Sequence, residues 1–237
     1  MGSLVYALLA YLAFLVSAGG LFVWTLAIET PGASAGPWPL ALGVNLGLLL
    51  LFGLQHSVMA RDGFKRALLA RLPGTAERSH YVLASSLALG GMMLGWQDLP
   101  GQLWQVDGVV AHGLRVLGLL GWGLAVLATF SFDHARLFGL RQAWARYRGE
   151  GLTEPAFSLP WLYRQVRHPM MTGFLAGFWL TPQMSTDRLL FALGMTVYVL
   201  IALRYEEADL RRHLGADYER YARQTPALLP TPWRRRA

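Results

Sequence analysis

The chain has 237 residues, of which 54% are hydrophobic and 15% are charged. A typical soluble domain carries about 25% charged residues, so this composition argues against a soluble globular enzyme, a disordered chain and a collagen-like chain. It indicates an integral membrane protein. The absence of cysteine excludes disulfide bonds, thiolate metal sites and a cysteine nucleophile. The chain has a net charge of +7, which is typical of a membrane protein whose basic cytoplasmic loops face anionic lipid. No nucleic-acid partner is predicted.

Long apolar runs divide the sequence into membrane segments. A helix that crosses the bilayer needs about 20 apolar residues, and four runs predict such helices at residues 4–28, 40–59, 81–96 and 114–132. The third run is the shortest. A fifth apolar region, residues 170–203, is too long for one span and is interrupted around Pro182, so we expect a helical hairpin. The predicted fold is an all-α integral membrane protein with four transmembrane helices and this C-terminal hairpin.

Three pairs of glycines, each four residues apart, predict close packing between helices. Small residues at this spacing let two helix backbones approach each other. The pairs are Gly43/Gly47, Gly91/Gly95 and Gly173/Gly177.

The basic residues are distributed asymmetrically between the loops. Lys and Arg are concentrated in residues 60–79, in residues 133–168 and after residue 203, whereas the loops at 29–39 and 97–111 have none. Basic loops stay on the cytoplasmic side of a membrane, so both termini are predicted to be cytoplasmic. The first apolar run lacks the basic start of a secretory signal peptide, although residues 33–35 resemble a cleavage site.

Histidines cluster at the predicted cytoplasmic ends of the helices, namely His56, His80, His134 and His168. A single histidine there is explained by a hydrogen bond to a backbone carbonyl. Several polar side chains converging at membrane depth are costly and predict a site.

Two of these histidines have polar neighbours in the sequence. Gln55, His56 and Ser57 share one helical turn, and Asp133 precedes His134. We predict His56 and His134 as catalytic candidates, oriented by Gln55, Ser57 and Asp133. No pair of histidines has metal-ligand spacing on one helix, so no metal site is predicted, although ligation of heme by one histidine stays open.

The flanks of the hairpin carry a dense set of polar residues. A hairpin returns its ends to one place, so Arg167 and His168 are expected beside the segment 204–207. Helical spacing places Glu207, but not Glu206, on an inward stripe with Leu203, Leu210, Leu214, Tyr218 and Tyr221. Glu207 then forms either an internal salt bridge to Arg204 or Arg167, or a ligand contact, which we prefer. Cations, carboxylates and aromatic rings together suit a zwitterionic ligand with an aromatic base.

These flanks match a known group of enzymes. The motifs are Arg167-His168-Pro169, Gly173, Pro182, Arg204-x-Glu206-Glu207, Leu214-Gly215, Tyr218, Tyr221 and a late proline. Over residues 160–230 they resemble the isoprenylcysteine carboxyl methyltransferase superfamily, although Met171 stands where that family commonly has tyrosine. The resemblance implies S-adenosylmethionine as cofactor, bound in a cytoplasmic C-terminal segment. It implies as cofactor-binding residues Tyr163, Arg167, His168, Pro169, Gly173, Arg204, Glu206, Glu207, Tyr218 and Tyr221.

The upstream part narrows the resemblance. Residues 54–61, 77–83, 134–142 and 178–184 look like the methanethiol S-methyltransferases. This implies a single membrane methyltransferase domain over 1–237, with a four-helix part at 1–132 and a cofactor-binding part at 133–237. It implies a multi-pass protein of a bacterial inner membrane that converts methanethiol and S-adenosylmethionine into dimethyl sulfide and S-adenosylhomocysteine.

The attacking species in such a reaction is a thiolate, and a neutral imidazole of His56 or His134 is the predicted base. Other interpretations stay open at this point. The acceptor could be another thiol, a protein prenylcysteine or an amine. A heme-binding membrane protein similar to zeta-carotene isomerase would use His56 or His134 as iron ligand, and a nonenzymatic scaffold is the third alternative. The sequence does not predict the oligomeric state.

Overall fold

The computed structural model describes residues 1–27, 37–69, 76–152 and 159–230. The described part is mostly helical, as predicted. Its helices are α1 (Gly2–Ala27), α2 (Trp38–Met59), α3 (Asp62–Leu69), α4 (Glu77–Gly95), α5 (Gly108–Phe132), α6 (His134–Leu137), α7 (Leu140–Arg148), α8 (Pro169–Trp179), α9 (Thr186–Leu214) and α10 (Ala216–Gln224). A 3-10 turn covers Trp161–Arg164. The prediction of a purely helical chain misses two short paired strands, β1 (Gln102–Gln105) and β2 (Gln183–Ser185).

Some predicted features lie outside the described residues. They are most of the loop at 29–39 with its cleavage-like residues 33–35, Arg71, and the arginines at 234–236.

Four described helices have the length and hydropathy of a membrane span, namely α1, α2, α5 and α9. The first three match predicted spans. Residues 81–96, the predicted third span, are helical apart from the last one. Those residues form most of α4, but this helix begins earlier, with the polar turn Glu77 to His80, and it is not among the four.

The candidate spans expose large apolar side chains. Leu8, Leu9 and Leu12 on α1 are each more than half exposed, as are Leu50 and Leu51 on α2. Such faces are costly in water and suit the hydrocarbon of a bilayer. The chain is a multi-pass membrane protein.

The predicted hairpin exists, but its arms are very unequal. The first arm, α8, has 11 residues and the second, α9, has 29. The predicted end of the second arm at Leu203 was wrong, because residues 204–214 consist largely of good helix formers such as Arg, Glu, Ala and Leu. The helix stops at Gly215, which has a φ of +54°. Tyr218 and Tyr221 therefore lie on a separate helix, α10, and the predicted single stripe is broken.

The chain separates into two compact units. The first unit comprises Met1–Leu103, Asp133–Pro155 and Met184–Leu189. There α4 packs against α1 and α2, and Ala10, Val82 and Phe138 form an apolar cluster. The second unit comprises Trp104–Phe132, Ala156–Gln183 and Leu190–Ala237. Its main helix contact joins α5 and α8.

Glycines allow the close approach of α5 and α8. A Cβ atom on Gly173 would lie 2.5 Å from both the backbone nitrogen of Ala125 and the carbonyl oxygen of Gly121, and one on Gly177 would lie 2.6 Å from the Trp122 ring. The close packing predicted for this pair is confirmed. The other two pairs differ, because a Cβ on Gly43, Gly47 or Gly91 meets no described atom within 4 Å, and one on Gly95 makes an ordinary contact.

We expect Gly173→Ala to lower the free energy of unfolding by about 1–3 kcal/mol, because the added methyl group must push two helix backbones apart. Thermal unfolding in detergent measures the change. Gly123→Ala on α5 is the matched control, since its Cβ meets no described atom within 4 Å. Its stability should be unchanged or higher by up to about 1 kcal/mol, from helix propensity. Equal loss in both variants would contradict this account of the packing.

Candidate active site

In the second unit, the carboxylate of Glu207 on α9 gathers three basic side chains. Arg167 donates to Oε1 through Nε at 2.9 Å and Nη2 at 2.5 Å, and His168 Nε2 lies 3.1 Å from the same oxygen. Arg211 donates to Oε2 at 3.2 Å. The side chains of Arg167 and Glu207 are only 12% and 13% exposed. Each charge is therefore largely shielded from water and needs the opposite charge to compensate it. The predicted proximity of Arg167, His168 and Glu207 is confirmed.

The backbone after α10 holds this cluster in place. We call residues 225–228 the C-terminal strap. The carbonyl oxygens of Pro226 and Ala227 accept hydrogen bonds from the backbone nitrogens of Arg167 and His168 at 2.8 and 3.0 Å. Thr172 on α8 donates to the carbonyl oxygen of Leu228 at 2.7 Å. The strap therefore fixes the backbone that carries the two basic residues.

The Arg167 guanidinium is also anchored by carbonyl groups. Its Nη1 donates to the carbonyl oxygens of Ala222 at 3.0 Å and Thr225 at 2.5 Å. Together with its two bonds to Glu207, these contacts leave the planar fork little freedom to rotate. The salt bridge considered as one interpretation of Glu207 is thus present.

Two tyrosines of α10 complete the group. The Tyr221 hydroxyl donates to the carbonyl oxygen of Tyr163 at 2.6 Å. The Tyr218 side chain is 2% exposed, and within the described part of the chain its hydroxyl has no hydrogen-bond partner. Burial, reinforced by the Glu207 carboxylate, raises the pKa of Tyr218 to about 12, so the phenol stays a hydrogen-bond donor at neutral pH. A buried donor without an acceptor is uncommon in proteins.

The remaining predicted cofactor residues lie near this group in the sequence and differ in exposure. Pro169 opens α8 and Gly173 packs on α5. Arg204 and Glu206 on α9 are exposed, with the Glu206 side chain at 51% against 13% for Glu207. The prediction that Glu207 points inward and Glu206 does not is confirmed. Burial, with a contribution from Glu206, raises the pKa of Tyr163 to about 12.

In the first unit, His56 on α2 is held by two hydroxyl groups of α4. Its Nε2 lies 2.7 Å from the Tyr81 hydroxyl and its Nδ1 lies 3.0 Å from the Ser85 hydroxyl. Gln55 donates from its amide nitrogen to the Met59 sulfur at 3.1 Å and approaches the Ser85 hydroxyl at 3.5 Å. Ser57 follows on the same helix and is half-buried. The imidazole is therefore fixed in orientation, by partners that lie on another helix.

His134, at the start of α6, has a similar tyrosine partner. Its Nε2 lies 2.8 Å from the Tyr11 hydroxyl of α1, and its ring lies 4.7 Å from that of Phe138. Burial lowers the pKa of His134, which favours the neutral imidazole. The Asp133 side chain accepts from the backbone nitrogen of Arg136 at 3.1 Å and pairs with Arg141 at 2.8 Å. Orientation of His134 by Asp133 stays a prediction.

The tyrosines bound to the two histidines meet in one place. Tyr11 and Tyr81 both pack against the cluster of Ala10, Val82 and Phe138, so His56 and His134 flank the same apolar core. By contrast, His80 lies 2.9 Å from the carbonyl oxygen of Ala76. This is the backbone contact that we considered for a single interfacial histidine.

Sequence reasoning missed the hydroxyl partners Tyr11, Tyr81 and Ser85. One signal was present, because Tyr81 and Ser85 are four residues apart and share a face of α4. Among the described residues, no group of three or more His, Cys, Asp and Glu side chains could hold a metal ion.

Comparison with known proteins shows the family to which this chain belongs. The family model described as "NnrU protein" matches residues 45–230. "Methanethiol S-methyltransferase 2" of Bradyrhizobium diazoefficiens is 44% identical over 98% of this chain and 92% of its own length. "Methanethiol S-methyltransferase" of Mycobacterium tuberculosis is also 44% identical, over 98% of this chain and 97% of its own length. The chain belongs to the NnrU protein family and to the methanethiol S-methyltransferases.

The family membership confirms the resemblance that the upstream motifs carried. A relative with a different name, "Nurim" of Sus scrofa, is 37% identical over 76% of this chain and 71% of its own length. The NnrU match covers residues 45–230. It therefore includes His56, its partner Tyr81, His134 and the whole Glu207 cluster. No solved structure matches the chain.

Proposed function

We propose that this NnrU-family chain transfers a methyl group from S-adenosylmethionine to methanethiol and produces dimethyl sulfide and S-adenosylhomocysteine. The observation that carries the proposal is the Arg167–His168–Glu207 cluster, in which His168 is buried and the other two are half-buried, beside the unpartnered Tyr218 hydroxyl. It offers fixed donors and an acceptor to a zwitterionic ligand. The relatives named methanethiol S-methyltransferase support the choice of acceptor and of reaction.

The residues of the second unit fit the cofactor. Arg167 and His168 provide donors for the amino acid or ribose groups, and Glu207 provides the acceptor. Tyr218 and Tyr221 are proposed to flank the adenine, and an orphaned phenol suits a polar group of the ligand. The proposal includes as further contacts, from the motif resemblance, Tyr163, Pro169, Gly173, Arg204 and Glu206.

When bound, S-adenosylmethionine supplies a methyl group on a positively charged sulfur, which a thiolate accepts in line. The chain must therefore generate the thiolate. A simple alkyl thiol has a pKa of at least about 8.5, so deprotonation at pH 7 costs at least about 2 kcal/mol. His56 or His134 takes this proton, and general-base catalysis of this kind is worth about 10²–10⁴-fold. Gln55, Ser57 and Asp133 are proposed to assist the two histidines.

We place the chemistry on the cytoplasmic side of a bacterial inner membrane, with both termini cytoplasmic. Basic residues near the ends of the apolar helices support this orientation. They are Arg61, Lys65, Arg66, Arg141, Arg146 and Arg148.

Two measurements on the purified full chain in detergent test the proposal. Calorimetric titration should detect binding of S-adenosylmethionine, and gas chromatography should detect dimethyl sulfide once methanethiol is added. Reactions without the methyl donor are the control. A panel of other thiols, a prenylcysteine and an amine tests the acceptor. A Soret band in protein that does not bind S-adenosylmethionine would instead support the heme-binding alternative and overturn the proposal.

Tyr218→Phe should separate ligand binding from stability. We expect about tenfold weaker S-adenosylmethionine binding, which corresponds to one hydrogen bond of about 1.5 kcal/mol. The unliganded protein should be as stable as the original or more so, because an unpaired buried hydroxyl is removed. Calorimetry and thermal unfolding give the two values. Tyr147→Phe, at an exposed position on α7, is the matched control. Loss of stability without a change in affinity would show that Tyr218 serves packing alone.

A further inference from the structure

The contacts of His56 raise a question about how it reaches a thiol. Both of its ring nitrogens already lie at hydrogen-bond distance from hydroxyl groups, Nε2 from Tyr81 and Nδ1 from Ser85. The ring is also packed between Phe52, at 5.4 Å, and Tyr81, at 4.9 Å. A substrate that bonded directly to either nitrogen would have to displace one of these hydroxyls.

Hydrogen bonds connect Tyr81, His56 and Ser85 in series. A neutral imidazole has one donor nitrogen and one acceptor nitrogen. The Tyr81 phenol can donate to Nε2 while Nδ1 donates to Ser85. A phenol oxygen that donates one hydrogen bond retains lone pairs for accepting another. Tyr81 can therefore donate to His56 while its oxygen accepts a hydrogen bond from an acidic group.

A half-buried cation favours negative charge on Tyr81. The Arg78 guanidinium carbon lies 5.3 Å from the centre of the Tyr81 ring. Its Nε donates to the carbonyl oxygen of Leu137 at 2.6 Å, which fixes the guanidinium in place. A nearby positive charge stabilises the anionic form of an acid, so it assists transient loss of the phenol proton.

A buried acceptor beside the Tyr81–His56–Ser85 hydrogen bonds lacks a donor. Within the described residues, Oε1 of Gln55 has no hydrogen-bond partner, while the amide nitrogen of the same side chain lies 3.5 Å from the Ser85 hydroxyl. Buried acceptors are rarely left unpaired. A donor from outside the chain, such as the S–H group of a small thiol, would satisfy it next to His56.

We infer that Tyr81 is the catalytic residue that receives the thiol proton and relays it to His56, an inference that rests on the proposed function. The S–H bond breaks and its electron pair stays on sulfur, as its proton moves to the phenol oxygen of Tyr81. The phenol's own O–H bond breaks, and that proton moves to Nε2 of His56. The products are a thiolate, a neutral Tyr81 and an imidazolium, which Ser85 stabilises through Nδ1. Ser85 is a positioning residue.

Further titratable groups belong to the surroundings of this relay. Arg78 and Glu77 precede Tyr81 on α4. Tyr11 of α1 and His134 of α6 lie at the same apolar cluster, and they contact each other. The pH dependence of the relay should therefore reflect the thiol, Tyr81 and His56, with Arg78 as a fixed positive charge.

Tyr81→Phe tests the relay in the full chain. The phenol that receives the thiol proton is lost, so kcat at pH 7 should fall about 10²-fold or more, with S-adenosylmethionine affinity unchanged by calorimetry. The deficit should narrow above pH 8.5, where the thiol ionises without help. Tyr147→Phe, outside the site, is expected to keep the original activity. Full activity of Tyr81→Phe at pH 7, or an equal deficit at every pH, would overturn the relay.

A second variant protects the test from a folding defect. Incorporation of 3-fluorotyrosine at position 81 keeps the ring and makes the phenol more acidic, and the relay requires a shifted pH profile of kcat. An unchanged profile would overturn it. Unaltered protein that forms no dimethyl sulfide would contradict the proposed function as well, whereas active unaltered protein with fully active Tyr81→Phe would contradict the relay alone.

Discussion

Glu207→Gln should both destabilise the protein and abolish measurable S-adenosylmethionine binding. The substitution removes the negative charge that Arg167, His168 and Arg211 share. A buried ion pair that loses one partner leaves an uncompensated charge, which costs about 3–5 kcal/mol. The guanidinium of Arg167 keeps its carbonyl contacts, and a glutamine amide oxygen can still accept from it, but the negative charge that balances the guanidinium is lost. Thermal unfolding and calorimetric titration, both in detergent, measure the two effects.

Glu219→Gln is the matched control for this experiment. Glu219 also pairs with Arg211, at 3.0 Å, but its side chain is 43% exposed. An exposed ion pair contributes about 0–1 kcal/mol, so the control should keep its stability and its affinity. If Glu207→Gln behaved like Glu219→Gln, the cluster would be a surface ion pair and not the centre of a binding site.

The membrane helices could be predicted where apolar runs are uninterrupted. The runs that became α1, α2 and α5 hold few charges, so hydropathy alone located them. The errors arose where a helix combines apolar and polar turns. Glu77 to His80 start α4 although they are polar, and residues 204–214 extend α9 although they are charged. Helix propensity and the absence of a breaker before Gly215 decide these ends, and hydropathy does not detect them.

Part of the candidate site could be predicted from the order of the residues along the chain. A hairpin must return its ends to one place, so the contact of Arg167 and His168 with Glu207 followed from chain order. The C-terminal strap could not be predicted, because its carbonyl oxygens belong to the backbone and have no sequence signature. Tyr81 and Ser85 were missed because a hydroxyl on a helix is assigned to a partner only when the packing of α2 against α4 is known.

His56→Ala should reduce dimethyl sulfide formation at pH 7 by about 10²–10⁴-fold, the range for loss of a general base. The reason is that Tyr81 then has no acceptor for its proton at the 2.7 Å distance that His56 now provides. Methyl transfer should recover toward the original rate as the pH rises past about 8.5, because the thiol then supplies its own thiolate. Kinetics across this pH range, with methanethiol saturating, measure both features.

Two further histidine variants make the assignment specific. His134→Ala removes the partner of Tyr11 but leaves the Tyr81–His56 contact, so we expect a smaller loss with no recovery at high pH. His112→Ala is the matched control, since His112 is exposed and lies 2.7 Å from the carbonyl oxygen of Gly108. It should retain full activity. A His134→Ala defect that is larger than that of His56→Ala and recovers above pH 8.5 would transfer the role of base to His134, because only loss of the base is compensated by ionisation of the thiol.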